Sequence, residues 1–169
     1  MADVTGVLDL RRSPLADTAF GVTSPGLSLD ELPFRSLVEV RSPEPPTAPG
    51  LVWRLGPAWW LVDDSPTTEP ALEVPLADEV RAANPGCPVV DVSAQRTTIV
   101  VTGEHATRLL AHGCAIDLTV LPVGEAVQGD LAGAQVVIGR TADELRIYVR
   151  PAFARHLAAW LTDAALPYT

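Results

Sequence analysis

Proline decides where regular structure can run in this chain. Pro14, Pro25 and Pro33, helped by several glycines, keep residues 1–33 from sustaining a long helix or a central strand, because proline lacks a backbone donor and fixes φ. That stretch is expected to be an extended N-terminal arm, followed by a single α+β domain over residues 34–169. Such an arm has few ways to bury Leu8, Leu10, Leu15 and Phe20 internally. It is therefore expected either to lie across a neighbouring protein or, as an equal alternative, to pack on its own domain.

Beyond the arm, the punctuation separates recognisable elements. Phe34 to Arg41 is rich in branched residues and reads as a strand, ended by the connector SPEPPTAPG. Gly56-Pro57-Ala58 makes a tight turn between Leu51–Leu55 and Trp59–Val62, which predicts a hairpin. Leu76, Val80 and Ala83 recur at helical spacing after Pro75, a residue suited to a first turn, and Asn84-Pro85-Gly86 stops that helix. Val89–Val92 and Thr97–Val101 read as paired strands turning through Ser93–Arg96. In EHATRLLAH, Ala106, Leu109 and Leu110 share a helix face, Glu104 sits near the positive end of the dipole, and Gly113 ends the helix.

Ile116–Leu121 suggests another strand, and Gly124–Gly133 an irregular connector to a strand at Ala134–Ile138. Leu145, Ile147 and Val149 alternate with Arg146 and Tyr148, the period of a strand with one buried face. Pro151 opens a last helix whose Phe153, Leu157, Trp160 and Leu161 repeat at helical spacing, with Ala154 and Ala158 permitting close approach to a sheet. The expected fold class is α+β: an antiparallel sheet with helices packed on it, similar to a split βαβ arrangement.

Composition narrows the function. A formal charge of −9 with no basic stripe argues against nucleic acid and for solubility or a basic partner, Arg11-Arg12 being the lone basic doublet. Lysine is absent, which excludes a P-loop lysine, a Schiff-base lysine and a lysine base. MADVTGVLDLRRSPL lacks the plan of a signal peptide, and no apolar run approaches the ~18 residues of a membrane span, so a cytoplasmic location is expected. Cys87 and Cys114 make neither a disulfide framework nor a four-ligand zinc site, and reduced thiols are the default.

The residues support no catalytic, cofactor-binding or metal set. His105 and His112 lie about 10.5 Å apart along a helix, too far to chelate one ion, and His156 is on another helix. His112-Gly113-Cys114 juxtaposes imidazole and thiol, a minor thiol-enzyme alternative, but no third group orients the histidine. Asp63-Asp64 are strand neighbours that point to opposite faces, while Asp78-Glu79 and Asp143-Glu144 read as exposed helix and turn residues. Asp91 and Asp117 interrupt apolar segments and are expected to cap or bond a loop. Among Trp53, Trp59 and Trp60, the adjacent pair must face opposite ways, one towards the core and the other free to meet a partner. Neither GxGxxG nor GxxxxGK[ST] occurs at a strand-to-helix turn.

Three passages carry a family resemblance: LGPAWWLV at Leu55–Val62, VVDVSAQRTTIVVTGEHATRLLAHGCAIDL at Val89–Leu118, and IYVRPAFARHLAAWL at Ile147–Leu161. They resemble the gamma subunit family of heterotetrameric sarcosine oxidase and together cover most of residues 51–165. Ala58 and Trp59 depart from the acidic pair often seen in that turn. The central passage is more weakly similar to the folate-binding aminomethyltransferase T-protein, which implies a shared fold. A folate site does not follow, because His112-Gly113-Cys114 continues as Ala115-Ile116-Asp117 where a folate-dependent relative has lysine-glycine-cysteine followed by tyrosine, glycine and glutamine.

The resemblance implies a structural, non-catalytic subunit of a cytoplasmic complex, with alpha, beta and delta partners carrying FAD, FMN, NAD, tetrahydrofolate and zinc. That complex would demethylate sarcosine oxidatively to glycine, form hydrogen peroxide and pass a one-carbon unit to tetrahydrofolate. The alternative is a stand-alone folate-binding or aminomethyl-transfer protein.

Overall fold

A computed structural model describes residues 11–65 and 75–168. In chain order its strands are β1 (Val22–Ser24), β2 (Leu27–Leu32), β3 (Ser36–Val40), β4 (Leu51–Gly56), β5 (Trp59–Asp64), β6 (Val89–Asp91), β7 (Thr97–Thr102), β8 (Ala126–Leu131), β9 (Ala134–Arg140) and β10 (Glu144–Val149). Its helices are α1 (Leu76–Ala83), α2 (Ala106–Leu110) and α3 (Pro151–Ala165). The strands form two antiparallel sheets, one of order β1-β2-β7-β10-β9-β8 and one of order β4-β5-β3-β6. No described helix is long and apolar enough to cross a membrane.

Three apolar clusters define the layering. Ile99, Val101, Ile147 and Val149 of the six-stranded sheet pack on Ala154, Leu157, Ala158 and Leu161 of α3 and on Leu109 and Leu110 of α2. Val38, Val40, Trp60 and Val62 of the four-stranded sheet pack on Leu76 and Val80 of α1. Between the sheets lie Leu37, Trp53 and Leu61 from one side and Val137 and Tyr148 from the other. The result is an α+β sandwich in which both sheets are covered on both faces. Tyr148 is consequently fully buried, and β10 has two buried faces where period-two alternation led us to expect one.

The hairpin at Gly56–Ala58, the stop of α1 at Asn84 and the opening of α3 at Pro151 all stand where proline and glycine place them. Four expectations do not. Residues 22–32 of the presumed arm form β1 and β2, and β2 pairs with the central strand β7 while Leu27 and Leu29 enter the main core. Leu15 is buried there too and Phe20 packs against it, whereas Leu8 and Leu10 lie outside the described residues. Proline did not forbid this, because Pro25 occupies the β1–β2 turn and Pro33 follows the end of β2.

The second difference is that β6 and β7 do not pair. β6 joins β3 in the smaller sheet and β7 joins β2 and β10 in the larger. A 3₁₀ turn at Ser93–Gln95 carries the chain between sheets. The Ser93 hydroxyl anchors it by accepting from the Leu37 N–H at 2.9 Å and donating to the Leu37 carbonyl at 3.3 Å.

Third, Ile116–Leu121 is not a strand. Asp117 accepts from the Thr119 N–H at 2.9 Å and from its hydroxyl at 2.5 Å, closing a 3₁₀ turn at Leu118–Val120. Fourth, the presumed connector contains β8. Its hairpin to β9 turns through Ala132 (φ 54°) and Gly133 (φ 82°), a two-residue turn with positive φ at both positions.

Candidate functional site

The sequence-derived candidates scatter. His112 Nε2 lies 3.0 Å from the Tyr168 hydroxyl, and the His105 ring is 5.1 Å from the Tyr168 ring, so both histidines are tied to the C-terminal turn. His156 Nε2 lies 2.8 Å from the carbonyl of Ala132. Cys114 is buried in the main core and Cys87 packs at the edge of the α1 core. Among the described residues no cluster of three His, Cys, Asp or Glu side chains could hold a metal ion.

The carboxylates serve local ends. Asp91 accepts from the Ser93 N–H at 2.8 Å, Asp64 from the Ser65 N–H at 2.8 Å, and Asp78 pairs with Arg81 one turn along α1. The hydrogen bond from the Thr119 hydroxyl, then that from its N–H, holds the exposed Asp117 carboxyl below the usual range.

Asp63, on β5 between the sheets and 0% exposed, gathers several charged and hydroxyl partners. Arg35 Nε donates to Oδ1 at 2.7 Å. Oδ2 accepts from Arg146 Nη1 at 2.7 Å and from the Tyr148 hydroxyl at 2.5 Å. Trp53 Nε1 in turn donates to the Tyr148 oxygen at 2.7 Å, and Arg146 Nε bonds Glu144. Two guanidinium and two carboxylate charges thus alternate across the seam and cancel.

The electrostatics follow from this geometry. Burial pushes the Tyr148 hydroxyl well above its usual value, and the neighbouring Asp63 charge pushes it further. Burial acts to lower the Arg146 value, but the hydrogen bonds to Asp63 and Glu144 outweigh it and hold the guanidinium above its ordinary range. Both Asp63 oxygens are engaged by charged or hydroxyl donors. The arrangement is suited to fixing one sheet on the other, not to taking up a substrate proton.

Sequence reasoning passed over this set because Asp63 reads as half of an adjacent pair and Arg146 as the outward residue of a strand. A signal was present: β5 carries its acid directly after the apolar run Trp59–Val62, and β10 places Arg146 and Tyr148 on one face.

In the same seam the Trp53 indole lies against Gly139 of β9, the residue opposite Arg146 in register. A Cβ at position 139 would come within 2.8 Å of the ring, so only glycine lets the sheets approach this closely. Trp59 and Trp60 face opposite ways, as expected. Trp60 is buried and donates to the Ser42 carbonyl at 2.9 Å, whereas half-buried Trp59 donates to Glu39 at 3.0 Å beneath Arg41, 4.3 Å from its ring. Near Arg35 a cavity of about 560 Å³ opens, lined by the end of β2, the β2–β3 turn and the Ser93–Gln95 turn.

Comparison with known proteins places this architecture. The sarcosine oxidase, gamma subunit family matches residues 12–166. The chain is 32% identical over 119 residues to the sarcosine oxidase subunit gamma of Corynebacterium sp. (strain U-96), covering 68% of this chain and 55% of that protein. It is 36% identical over 95 residues to the subunit gamma of Arthrobacter sp., covering 53% of this chain and 46% of that protein. The matched region thus spans about half the length of these curated relatives.

Among solved structures, the chain superposes with a TM-score of 0.76 and 25% identity on a chain of the heterotetrameric sarcosine oxidase from Corynebacterium sp. U-96 in complex with pyrrole 2-carboxylate, covering 94% of this chain and 96% of that one. It also shares a fold, at TM-score 0.62 and 15% identity, with the glycine cleavage system aminomethyltransferase T from Bartonella henselae, over 82% of this chain and 46% of that one. The chain belongs to the sarcosine oxidase gamma subunit family.

Proposed function

We propose that this chain is the gamma subunit of a heterotetrameric sarcosine oxidase and that it is non-catalytic, a packing body that holds cofactor-bearing alpha, beta and delta subunits in register. The observation that carries this reading is the family match over residues 12–166 combined with the superposition of 94% of the chain on a chain of such a complex. In this reading the complex oxidises sarcosine to glycine, yields hydrogen peroxide and passes the one-carbon unit to tetrahydrofolate. FAD, FMN, NAD, zinc and the folate pocket belong to the partners, and the setting is cytoplasmic.

The fate of the ionisable residues supports the non-catalytic part. Asp63, Arg35, Arg146 and Glu144 are engaged with one another, and Asp91 and Asp117 cap turns. Trp59, braced by Glu39 and Arg41 on the β4–β5 hairpin, is a pre-ordered aromatic suited to a partner contact.

Co-expression with the three partner subunits should give one co-eluting flavoprotein. Clean separation of this chain under mild conditions would overturn the proposal. The T-protein likeness is one of fold, and calorimetric titration with tetrahydrofolate separates the readings: stoichiometric saturation of the isolated chain would favour an independent folate-binding protein.

A further inference from the structure

A second, smaller recess of about 270 Å³ opens at the mouth of the seam, where β10 gives way to α3. Arg96, Arg150, Gln95, Gln128 and Gln135 supply its polar wall, and no described carboxylate lines it. Strand register explains why two guanidinium groups meet there. Val149 of β10 stands opposite Thr97 of β7 on one side and Val136 of β9 on the other. Arg96 and Arg150 keep extended backbone just outside their strands, so the same ladders carried one residue further put Arg150 between Arg96 and Gln135.

Like charges side by side on adjacent strands repel. Glu39 offsets one of them by accepting from Arg96 Nη2 at 3.1 Å. Arg150 is exposed and has no carboxylate partner among the described residues; its guanidinium lies 5.8 Å from the Phe153 ring. Asp130, opposite Gln135 in the same row, accepts from the Gly133 N–H of its own turn at 2.9 Å.

The recess is continuous with the surface around Trp59. The Trp59 indole donates to the other oxygen of Glu39 and lies under Arg41, and Gln128 Nε2 donates at 2.8 Å to the Leu55 carbonyl of the hairpin that carries Trp59. Along these contacts three guanidinium groups are met by one carboxylate, in a chain whose formal charge is −9. That local excess of positive charge selects an acidic occupant. The volume is below the ~300–1,000 Å³ of small-molecule pockets and suits one inserted side chain. A carboxylate accepts from a guanidinium fork, and glutamine amides can donate beside it.

We propose that this recess receives an aspartate or glutamate side chain of a partner subunit, with Arg150 forming the ion pair, Arg96 adding charge and Trp59 packing alongside. The proposal rests on the oxidase-subunit reading and gives that assembly its contact chemistry.

The test exploits the absence of lysine from the chain. Arg150→Lys puts a lone side-chain amine at the recess, and the co-expressed complex is treated with a carbodiimide, which joins amines to carboxylates in direct contact. Peptide mass spectra should show position 150 linked to an acidic residue of a partner subunit. Arg150→Glu should raise the apparent dissociation constant of the complex, measured by dilution and size exclusion, by at least about tenfold. An acid at the start of α3 suits the helix dipole, so this variant should fold, as unchanged far-UV circular dichroism would show.

A complex that assembles but gives no link at position 150, a link only to Glu39, Asp130 or a second copy of this chain, or parent-like association of folded Arg150→Glu overturns the proposal and leaves the subunit reading standing. Failure of the parent chain to assemble overturns both.

Discussion

The two faces of the six-stranded sheet solve burial in opposite ways. The face under α3 is apolar throughout, with Ile99, Val101, Ile147 and Val149 meeting Leu157, Ala158 and Leu161, all 0% exposed. The face towards the second sheet carries Arg146 and Tyr148 on β10 and receives Asp63 and Trp53 in return. Apolar burial is tolerant of exchange as long as volume is kept, whereas a buried ion network admits one arrangement. The helix face therefore supplies cohesion, and the seam fixes how one sheet sits on the other.

The sharpest way to break this comparison is Asp63→Ala, which strands two largely buried guanidinium groups. It should cost about 3–5 kcal/mol in urea unfolding. Exchanging the whole set, as Arg35→Met, Asp63→Leu, Glu144→Gln and Arg146→Met with Tyr148→Phe, should be close to neutral or stabilising; a loss as large as that of the single variant would mean that the network is itself a net source of stability. On the opposite face Leu157→Ala should cost about 2–5 kcal/mol through the cavity it leaves. Gly139→Ala, which drives a methyl into the Trp53 ring, should cost about 1–3 kcal/mol, and a crystal structure should show the sheets moved apart at β4 and β9.

The seam also predicts a response to base that the helix face lacks. Because the folded Tyr148 value is raised above the ordinary value of 10.0, its contribution is complete below pH 10 and is lost as pH rises beyond it. Unfolding free energy should fall by about 1.4 kcal/mol per pH unit in that window, and Tyr148→Phe should remove this slope. The smallest effect on stability is expected at the surface. Trp59→Ala, which gives up the hydrogen bond to Glu39 and the stacking under Arg41, should cost about 1 kcal/mol in urea unfolding and weaken co-elution with partner subunits, and unchanged co-elution would remove Trp59 from the proposed contact.

What could be read in advance follows the range of the interactions. α1 and α3 were legible because Pro75, Asn84-Pro85-Gly86 and Pro151 act on the nearest turn, and the β4–β5 hairpin because its two-residue loop is local. β6 and β7 were misread as partners because each has strand character, and strand character does not say which sheet a strand joins. β8 and β2 were missed for a related reason. An edge strand such as β8 has a polar, half-exposed pattern, and β2 becomes central only because β7, some 70 residues along the chain, accepts it. Of the candidate residues, the caps at Asp91 and Asp117 were foreseeable from neighbours within two positions, while Asp63 depended on Arg146 and Tyr148 from one distant strand and on Arg35 from a loop.

Taken alone, the order of residues determined the family motifs, the α+β class, the exclusion of lysine chemistry and the places where helices start and stop, since each rests on residue identity or on contacts within a turn. Only the tertiary structure decided that there are two sheets, that the segment once taken for an arm is an inner strand, and that a neutral four-charge network and an arginine-lined cavity sit at their seam. Those features arise from pairings between residues 28 to 85 positions apart, and the free energy of burying a charge is set by what folds against it, not by its neighbours in the chain.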